Sequence, residues 1–552
     1  MIYRQRRLIL ISVLILAAVL RLWQIRQFPA GFNADEAAIG YNAYSLIQTG
    51  KDEHGIFLPI HFKSFGDYKP GGYFYLILPF VKVLGLTELA VRLPSAILGI
   101  LSVLLIYLLV KELFSSSPFA LLSSFFLAVS PWHIHFSRGG WETSAATTFI
   151  VLGVWLFLKG LKNGQFLIFS ILFFIFSMYT YHSARIIVPF LGLGLIVLYR
   201  KELFNPTFAK ATSGKQLKWL VIAGLTGSVL VIPLIFSFLS PAGISRFSGV
   251  GFLSETGPLW RINELRGEHQ AWNVPTVRLL HNKVVGYSLS FLENWSDHFD
   301  GEFLFLSGDV IERNRVPETG QMYLFDIPFV ILGIYFFLKN RPKNWQIIFW
   351  WLGVAPLAAA MTFQTPHALR AHNMVIPMVI ISAYGIWSGL EWVKDKKRIV
   401  AILLYCYIAI FLPWSVARYL HQYYIHYPKT YPTAWEYGFR ELVEFIKPLE
   451  KDYNKILVTD KYDQPYILFL FYLQYPPEKF QQEVVLTPRD KFGFSTVRDF
   501  GKYHFENIVW NNLKDEQNIL VVGTDDEISG GANIIKTVYF PNGRIAFRVA
   551  KT

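Results

Sequence analysis

The chain has 552 residues, 53% of them hydrophobic and 16% charged, and its mean hydropathy is +0.35. Soluble globular chains carry about 25% charged residues, so the composition excludes a wholly soluble protein and puts the bulk of this one in a membrane. The net charge of +13 is not a nucleic-acid footprint, because much of it lies in short loops between apolar runs, where positive charge fixes orientation. The single cysteine, Cys406, sits inside an apolar run and excludes both a disulfide framework and a cysteine metal site.

Arg4, Arg6 and Arg7 followed by an apolar run resemble a signal peptide. Arg21 and Arg26 then follow with no small-residue cleavage site, so the segment reads as a retained first helix. A spanning helix needs about 20 apolar residues. Candidates lie near 8–25, 90–110, 118–132, 142–159, 165–181, 185–199, 217–238, 322–338, 346–362, 373–391 and 398–415. The apolar segment 73–86 is shorter and carries Lys82, so it reads as interfacial or re-entrant. With the N-terminus cytoplasmic, every short cytoplasmic loop is basic: Lys111; Lys159 and Lys162; Arg200 and Lys201 through Lys218; Lys339, Arg341 and Lys343; Lys394 through Arg398. The sequence therefore predicts a polytopic α-helical membrane protein of about eleven spans in the cell membrane.

The transmembrane domain covers 1–415, with large external loops at 26–72 and 239–321; the second is too long for a plain connector and predicts short helices or a lid. No internal repeat is visible. From 416 to 552 charge rises and period-two patterns begin, predicting a soluble extracytoplasmic α/β domain. Its expected elements are an amphipathic helix over Thr433–Lys451 and strands at Lys455–Asp460 and Asn518–Gly523. A hairpin is expected where Ile534–Phe540 and Ile545–Ala550 flank Pro541-Asn542-Gly543.

The external loops hold the candidate chemistry. Asp35 and Glu36 stand where a helix begins, and Asp35 or Asn33 there also reads as an ordinary cap. The same loop supplies His54, His61, Asp67, Tyr68 and Lys69, the last followed by Pro70-Gly71-Gly72. Adjacent carboxylates followed by a cation offer a proton acceptor and a partner for an anionic leaving group, and Lys69 reads equally as an interfacial lysine. The second loop carries His133, His135, Arg138, Trp141 and Glu142. Two histidines with no clear third ligand leave a divalent metal open without specifying one, whereas Arg138 can fork onto a phosphate. Two further loops bring His182 with Arg185, and His367 with Arg370 and His372, so the external loops read as the rim of one pocket.

In chain order the motifs are Asn33-Ala34-Asp35-Glu36-Ala37, Asp67-Tyr68-Lys69-Pro70, Gly85-Leu86-Thr87-Glu88-Leu89-Ala90-Val91-Arg92-Leu93-Pro94-Ser95, and Ser130-Pro131 through Arg138. This series resembles the C-type glycosyltransferase superfamily, and is similar in particular to protein O-mannosyltransferases and to the aminoarabinose transferase that modifies lipid A. The resemblance covers residues 1–200 well and the later spans loosely; the C-terminal domain shows no family motif. It implies a sugar donor linked to a polyprenyl phosphate, transfer on the non-cytoplasmic face to a lipid, glycan or protein acceptor, and inversion at the anomeric carbon. It implies that Asp35 acts as general base or acceptor-orienting group and that Lys69 meets the donor phosphate. The loop chemistry itself adds Glu36 as a second catalytic candidate and Arg138 and Arg370 as further cations for the phosphate. Where the family tends to show Lys-Pro-Pro, this chain has Lys69-Pro70-Gly71, and no inserted sugar-binding domain is seen. No nucleotide is required. A transporter or lipid flippase would instead place charges near mid-membrane on paired broken helices. A non-catalytic scaffold would tolerate replacement of Asp35.

Overall fold

A computed structural model describes residues 2–65, 67–204, 213–239, 256–269, 274–394, 398–488, 495–513 and 516–552. The chain divides into two compact units. One comprises Met1–Leu20, Gly99–Phe136 and Thr143–Tyr419; the other comprises Arg21–Leu98, Ser137–Glu142 and Leu420–Thr552.

The first unit is helical. A helix stands at each of the eleven expected spans, beginning with α1 (Ile2–Leu22). Among the described residues five helices are long and apolar enough to cross a membrane, or six if the bent pair Ser117–Val129 and Pro131–Arg138 counts as one. Gln165–Thr180, Ala184–Leu198 and Trp345–Ala360 are apolar but shorter. Fifteen residues rise only about 22 Å, against a hydrocarbon core of about 30 Å. The expected segments are thus all helical, and length separates the long ones from the short.

Burial sorts the helices further. Val375–Val393 is buried almost all round, and its partner Ile327–Asn340 approaches closely because glycines leave room. A Cβ on Gly385 would lie 1.9 Å from the Phe329 carbonyl oxygen, and one on Gly333 would lie 2.1 Å from that of Ile381. Small residues at such crossings let backbones touch. By contrast Ser213–Leu239 presents Val221, Leu225, Val229, Ile232 and Phe236 outward. A continuous exposed apolar stripe on a helix of this hydropathy is a lipid-facing surface. The long loop 239–321 does form short helices, at Gly257–Gly267, Pro275–Leu280 and Lys283–Asp297; residues 240–255 and 270–273 lie outside the described residues.

The second unit joins the loop after the first helix to the C-terminal residues. Helix α2 (Ala34–Thr49) is followed by the antiparallel hairpin β1 (His61–Ser64) and β2 (Asp67–Pro70), then by the helix α3 (Gly72–Leu84). At 13 residues α3 rises about 20 Å, too short to span. The C-terminal residues form a seven-stranded sheet, ordered β4-β5-β6-β3-β7-β9-β8. These strands are β3 (Lys455–Thr459), β4 (Val485–Leu486), β5 (Val497–Phe500), β6 (Tyr503–Glu506), β7 (Ile519–Gly523), β8 (Ile534–Tyr539) and β9 (Ile545–Lys551). Central β3 runs parallel to both β6 and β7, and the expected hairpin pairs β8 with β9. The expected helix over Thr433–Lys451 is broken. Glu436 (φ 48°) and Gly438 (φ 103°) take left-handed conformations, so helix survives only at Phe439–Ile446, between short 3-10 turns. The apolar helix Pro465–Leu473 packs on α2. Phe471 lies against Phe32, with ring centroids 4.6 Å apart, and the Tyr41 hydroxyl donates to the Tyr475 carbonyl at 3.0 Å.

Candidate active site

Helix α2 starts at Asn33. Its extended backbone (φ −77°, ψ 161°) and its side-chain oxygen, which accepts from the Glu36 amide at 3.0 Å, make it the N-cap. Asp35 and Glu36 therefore occupy the first turn, where the helix dipole favours negative charge. Neighbours in sequence, they meet different surroundings because successive helical residues point about 100° apart.

Asp35 is partly exposed, at 26%, and its Oδ1 accepts from the Lys69 ammonium. Lys69 is delivered by β2, opposite Phe62 in the hairpin register, and lies 5.5 Å from the centre of the Phe65 ring. Phe62 stacks on Phe74 at 4.1 Å, and the Gly71 amide donates to the Ile60 carbonyl at 2.9 Å. These contacts tie the turn after Lys69 to the start of α3. Tyr68 is half-buried; the Asp67 side chain lies outside the described residues.

Glu36 is fully buried. Arg92, from the helix α4 (Glu88–Phe114), grips it with two parallel bonds of 2.8 Å, Nε to Oε1 and Nη2 to Oε2, and the Gly140 amide donates to Oε1 at 2.7 Å. Arg92 also donates to the carbonyls of Ile25 (3.2 Å), Pro29 (3.1 Å) and Gly31 (2.6 Å). Arg138, equally buried, donates to Trp23 O at 2.7 Å, Phe28 O at 3.2 Å and the Tyr423 hydroxyl at 3.3 Å, between the Tyr423 and Tyr424 rings. Two guanidinium groups thus hold the segment leading to Asp35 by its main chain. Gly31 closes it against Trp435: its φ is +106°, and a Cβ there would lie 2.1 Å from the Trp435 carbonyl oxygen.

The other candidates lie in the helical unit. Arg370 donates to Thr362 Oγ1 (2.7 Å) and the Phe363 carbonyl (2.9 Å), and lies over the Phe363 ring. Buried His367 has Nδ1 3.6 Å from Asp309 Oδ2, and its amide donates to His298 Nε2 at 3.1 Å. Asp309 accepts the Ala368 amide at 2.6 Å and Asn314 Nδ2 at 3.1 Å. Burial pushes the Asp309 carboxyl up, brings His298 down to about 4, and together with the nearby Arg370 takes His367 well below the usual histidine range. His133 is fully buried and stacks on His372 with centroids 5.7 Å apart; His135 Nε2 lies 2.9 Å from the Arg313 carbonyl. His182 is half-buried, as is Arg185, whose Nε donates to Met178 O at 3.1 Å. Among the described residues no three His, Cys, Asp or Glu side chains converge as metal ligands would.

The structure thus brings Asp35, Glu36, Lys69 and Arg138 into one unit and puts His133, His182, Arg185, His367 and Arg370 in the other. Arg92 lies within the third motif, and the sequence alone assigns it no role. An arginine in an otherwise apolar helix was the available signal, because such a charge needs a partner.

Residues 68–233 match the family profile described as dolichyl-phosphate-mannose-protein mannosyltransferase. A comparison with curated proteins gives no match. The oligosaccharyltransferase of Archaeoglobus fulgidus, solved in complex with Zn and sulfate, aligns over 98% of this chain and 72% of its own, with 12% identity and a TM-score of 0.52. ArnT from Cupriavidus metallidurans, bound to undecaprenyl phosphate, aligns over 98% of this chain and 97% of its own, with 10% identity and a TM-score of 0.50; its apo state gives 0.53. At such identities the structural likeness establishes the fold. Profile and fold together show the resemblance to the C-type glycosyltransferase superfamily that the motifs of the first 200 residues carry.

Proposed function

We propose that this protein is a membrane glycosyltransferase that moves a sugar from a polyprenyl-phosphate donor to an acceptor hydroxyl on the extracytoplasmic face, with inversion. The observation that carries the reading is the Asp35–Lys69 pair: a partly exposed carboxylate at a helix start, paired with a cation from a separate hairpin, on a buried frame of Glu36, Arg92 and Arg138. In this reading Asp35 takes the proton from the acceptor hydroxyl. The acceptor oxygen bonds to the anomeric carbon while that carbon's bond to the phosphate oxygen breaks. The polyprenyl phosphate leaves as an anion, and Lys69 meets its growing charge. Glu36 and Arg138, engaged by the frame, hold Asp35 in place, and Arg370 is retained as a further donor-phosphate candidate. The basic loops support eleven spans with the N-terminus cytoplasmic and the C-terminal sheet outside.

The test is consumption of radiolabelled polyprenyl-phosphate sugars by purified protein. Asp35→Asn keeps size and removes basicity, so turnover is expected to fall by at least ~100-fold. A folded variant that turns over at the wild-type rate would overturn the assignment.

A further inference from the structure

Within the second unit a cleft of about 520 Å³ lies beside the segment that leads to Asp35. Its walls include Arg26, Phe28, Tyr424, Lys429, Arg440 and Tyr472, and Gly31 and Phe32 form part of its lining. Asp35, Glu36 and Lys69 are not among its lining residues. A second cleft of about 320 Å³ shares Arg26, Glu88, Arg440 and Tyr472 with it.

The charges in this cleft are unequally satisfied. Glu88 is buried and already bound, accepting from Arg440 and from the Tyr472 hydroxyl, the latter at 2.6 Å. Glu441 pairs with Lys536 at 2.6 Å. Among the described residues no carboxylate pairs with the side chains of Arg26 or Lys429, both of which are exposed. Arg440 keeps about half of its side chain accessible despite its bond to Glu88. Glu436, buried at the same cleft, is its third carboxylate beside Glu88 and Glu441. Against these, three cations reach the cleft from three separate segments, over walls of Phe28, Tyr424 and Tyr472, with Arg26 and Lys429 the two left for an added anion. Cations on separate segments suit a group that offers several anionic oxygens, as a phosphate ester does. The aromatic walls suit an attached apolar or sugar moiety, and exposed Ile425 continues them outward.

We infer that this cleft is an anion-binding subsite for a phosphate-bearing amphipathic molecule, separate from the Lys69 side of the site. The chain from Phe32 runs directly into Asn33 and Asp35, so a molecule seated here adjoins the segment that carries the base, and its role is that of the acceptor. That acceptor role rests on the glycosyltransferase reading; the binding itself does not.

The experiment uses the full-length protein in neutral detergent micelles. Inorganic phosphate is titrated by calorimetry. Dioleoylphosphatidylglycerol is scored by native mass spectrometry against dioleoylphosphatidylcholine. At least one anionic probe is expected to bind, and Arg26→Gln with Lys429→Gln is expected to weaken it by about tenfold or more, since charge-assisted bonds are lost. Both positions are exposed, and an unchanged melting temperature will confirm that the double variant is folded. Lys69→Ala removes the phosphate contact of the proposed reaction site and is expected to retain the binding that Arg26→Gln with Lys429→Gln removes. Binding of phosphate assigns a soluble phosphate ester, and binding of phosphatidylglycerol alone assigns a lipid headgroup. The inference is overturned if neither probe binds, if the double variant binds like wild type, or if Lys69→Ala abolishes binding. Loss of turnover in Asp35→Asn has no bearing on this readout, so the two readings fail separately.

Discussion

Replacing Arg92 by Met keeps a long side chain and removes every polar contact it makes. Glu36, fully buried, would lose both of its 2.8 Å bonds and, among the described residues, keep the Gly140 backbone amide at 2.7 Å and the Asn33 side-chain Nδ2 at 3.5 Å. The carbonyls of Ile25, Pro29 and Gly31 would each lose a donor. Breaking a buried ion pair from one side costs about 3–5 kcal/mol, because a charge is left uncompensated in a medium that cannot hydrate it. For a unit of this size 1 kcal/mol moves the melting temperature by about 2–4 °C, so a drop of roughly 6–20 °C is expected. The assay is thermal unfolding of the detergent-solubilised protein, beside donor turnover. Turnover should fall as well, since Asp35 rides on the turn that Glu36 anchors. A second variant, Glu36→Leu with Arg92→Leu, removes both charges and should recover a large part of the lost stability. A single Arg92→Met variant within about 1 kcal/mol of wild type would refute the buried frame, and so would a double variant no more stable than the single one.

Three further outcomes follow from the same geometry. Lys69→Ala should weaken binding of a polyprenyl-phosphate donor in a direct measurement while leaving the fold intact, and equal affinity would count against its phosphate role. Arg370→Ala is tested in the same way, with its loss from Thr362 and Phe363 monitored by thermal unfolding. Stability should also depend on pH through His298. Its folded-state value of about 4 lies below the ordinary ~6.5, so its contribution is complete above pH ~6.5 and is lost as pH falls toward about 4. His367, also lowered, adds to this trend, and Asp309, raised, opposes it. His298→Gln should therefore flatten the melting temperature against pH between about 6.5 and 4; an unchanged slope would remove His298 as its source.

Residues 420–552 cannot be treated as a removable appendage to the first loop. Truncation there would strip Phe471, Tyr475 and Trp435 from α2 and the loop before it. Point substitutions in the cleft are the sounder route to acceptor choice.

The sequence alone determined what depends on near neighbours. Apolar runs named the helices, because a segment's transfer into hydrocarbon is set by its own side chains. Pro541-Asn542-Gly543 named the hairpin, Lys455–Asp460 and Asn518–Gly523 named two strands, and Asn33 was one of two candidate caps for α2. The tertiary structure decided what depends on distant partners. The sequence set Asp35 and Glu36 side by side as equals. Folding separated them, since the helical turn sends one toward Lys69, 34 residues on, and the other onto Arg92, 56 residues on. Arg138, expected to meet a phosphate, is fully buried and donates to the carbonyls of Trp23 and Phe28, more than a hundred residues earlier in the chain. The parallel pairing of β3 with β6 and β7, and the packing of Pro465–Leu473 on α2, likewise join segments that no local pattern relates. Periodicity and caps are properties of a short stretch of chain, whereas a buried charge takes whichever partner the packed interior brings to it.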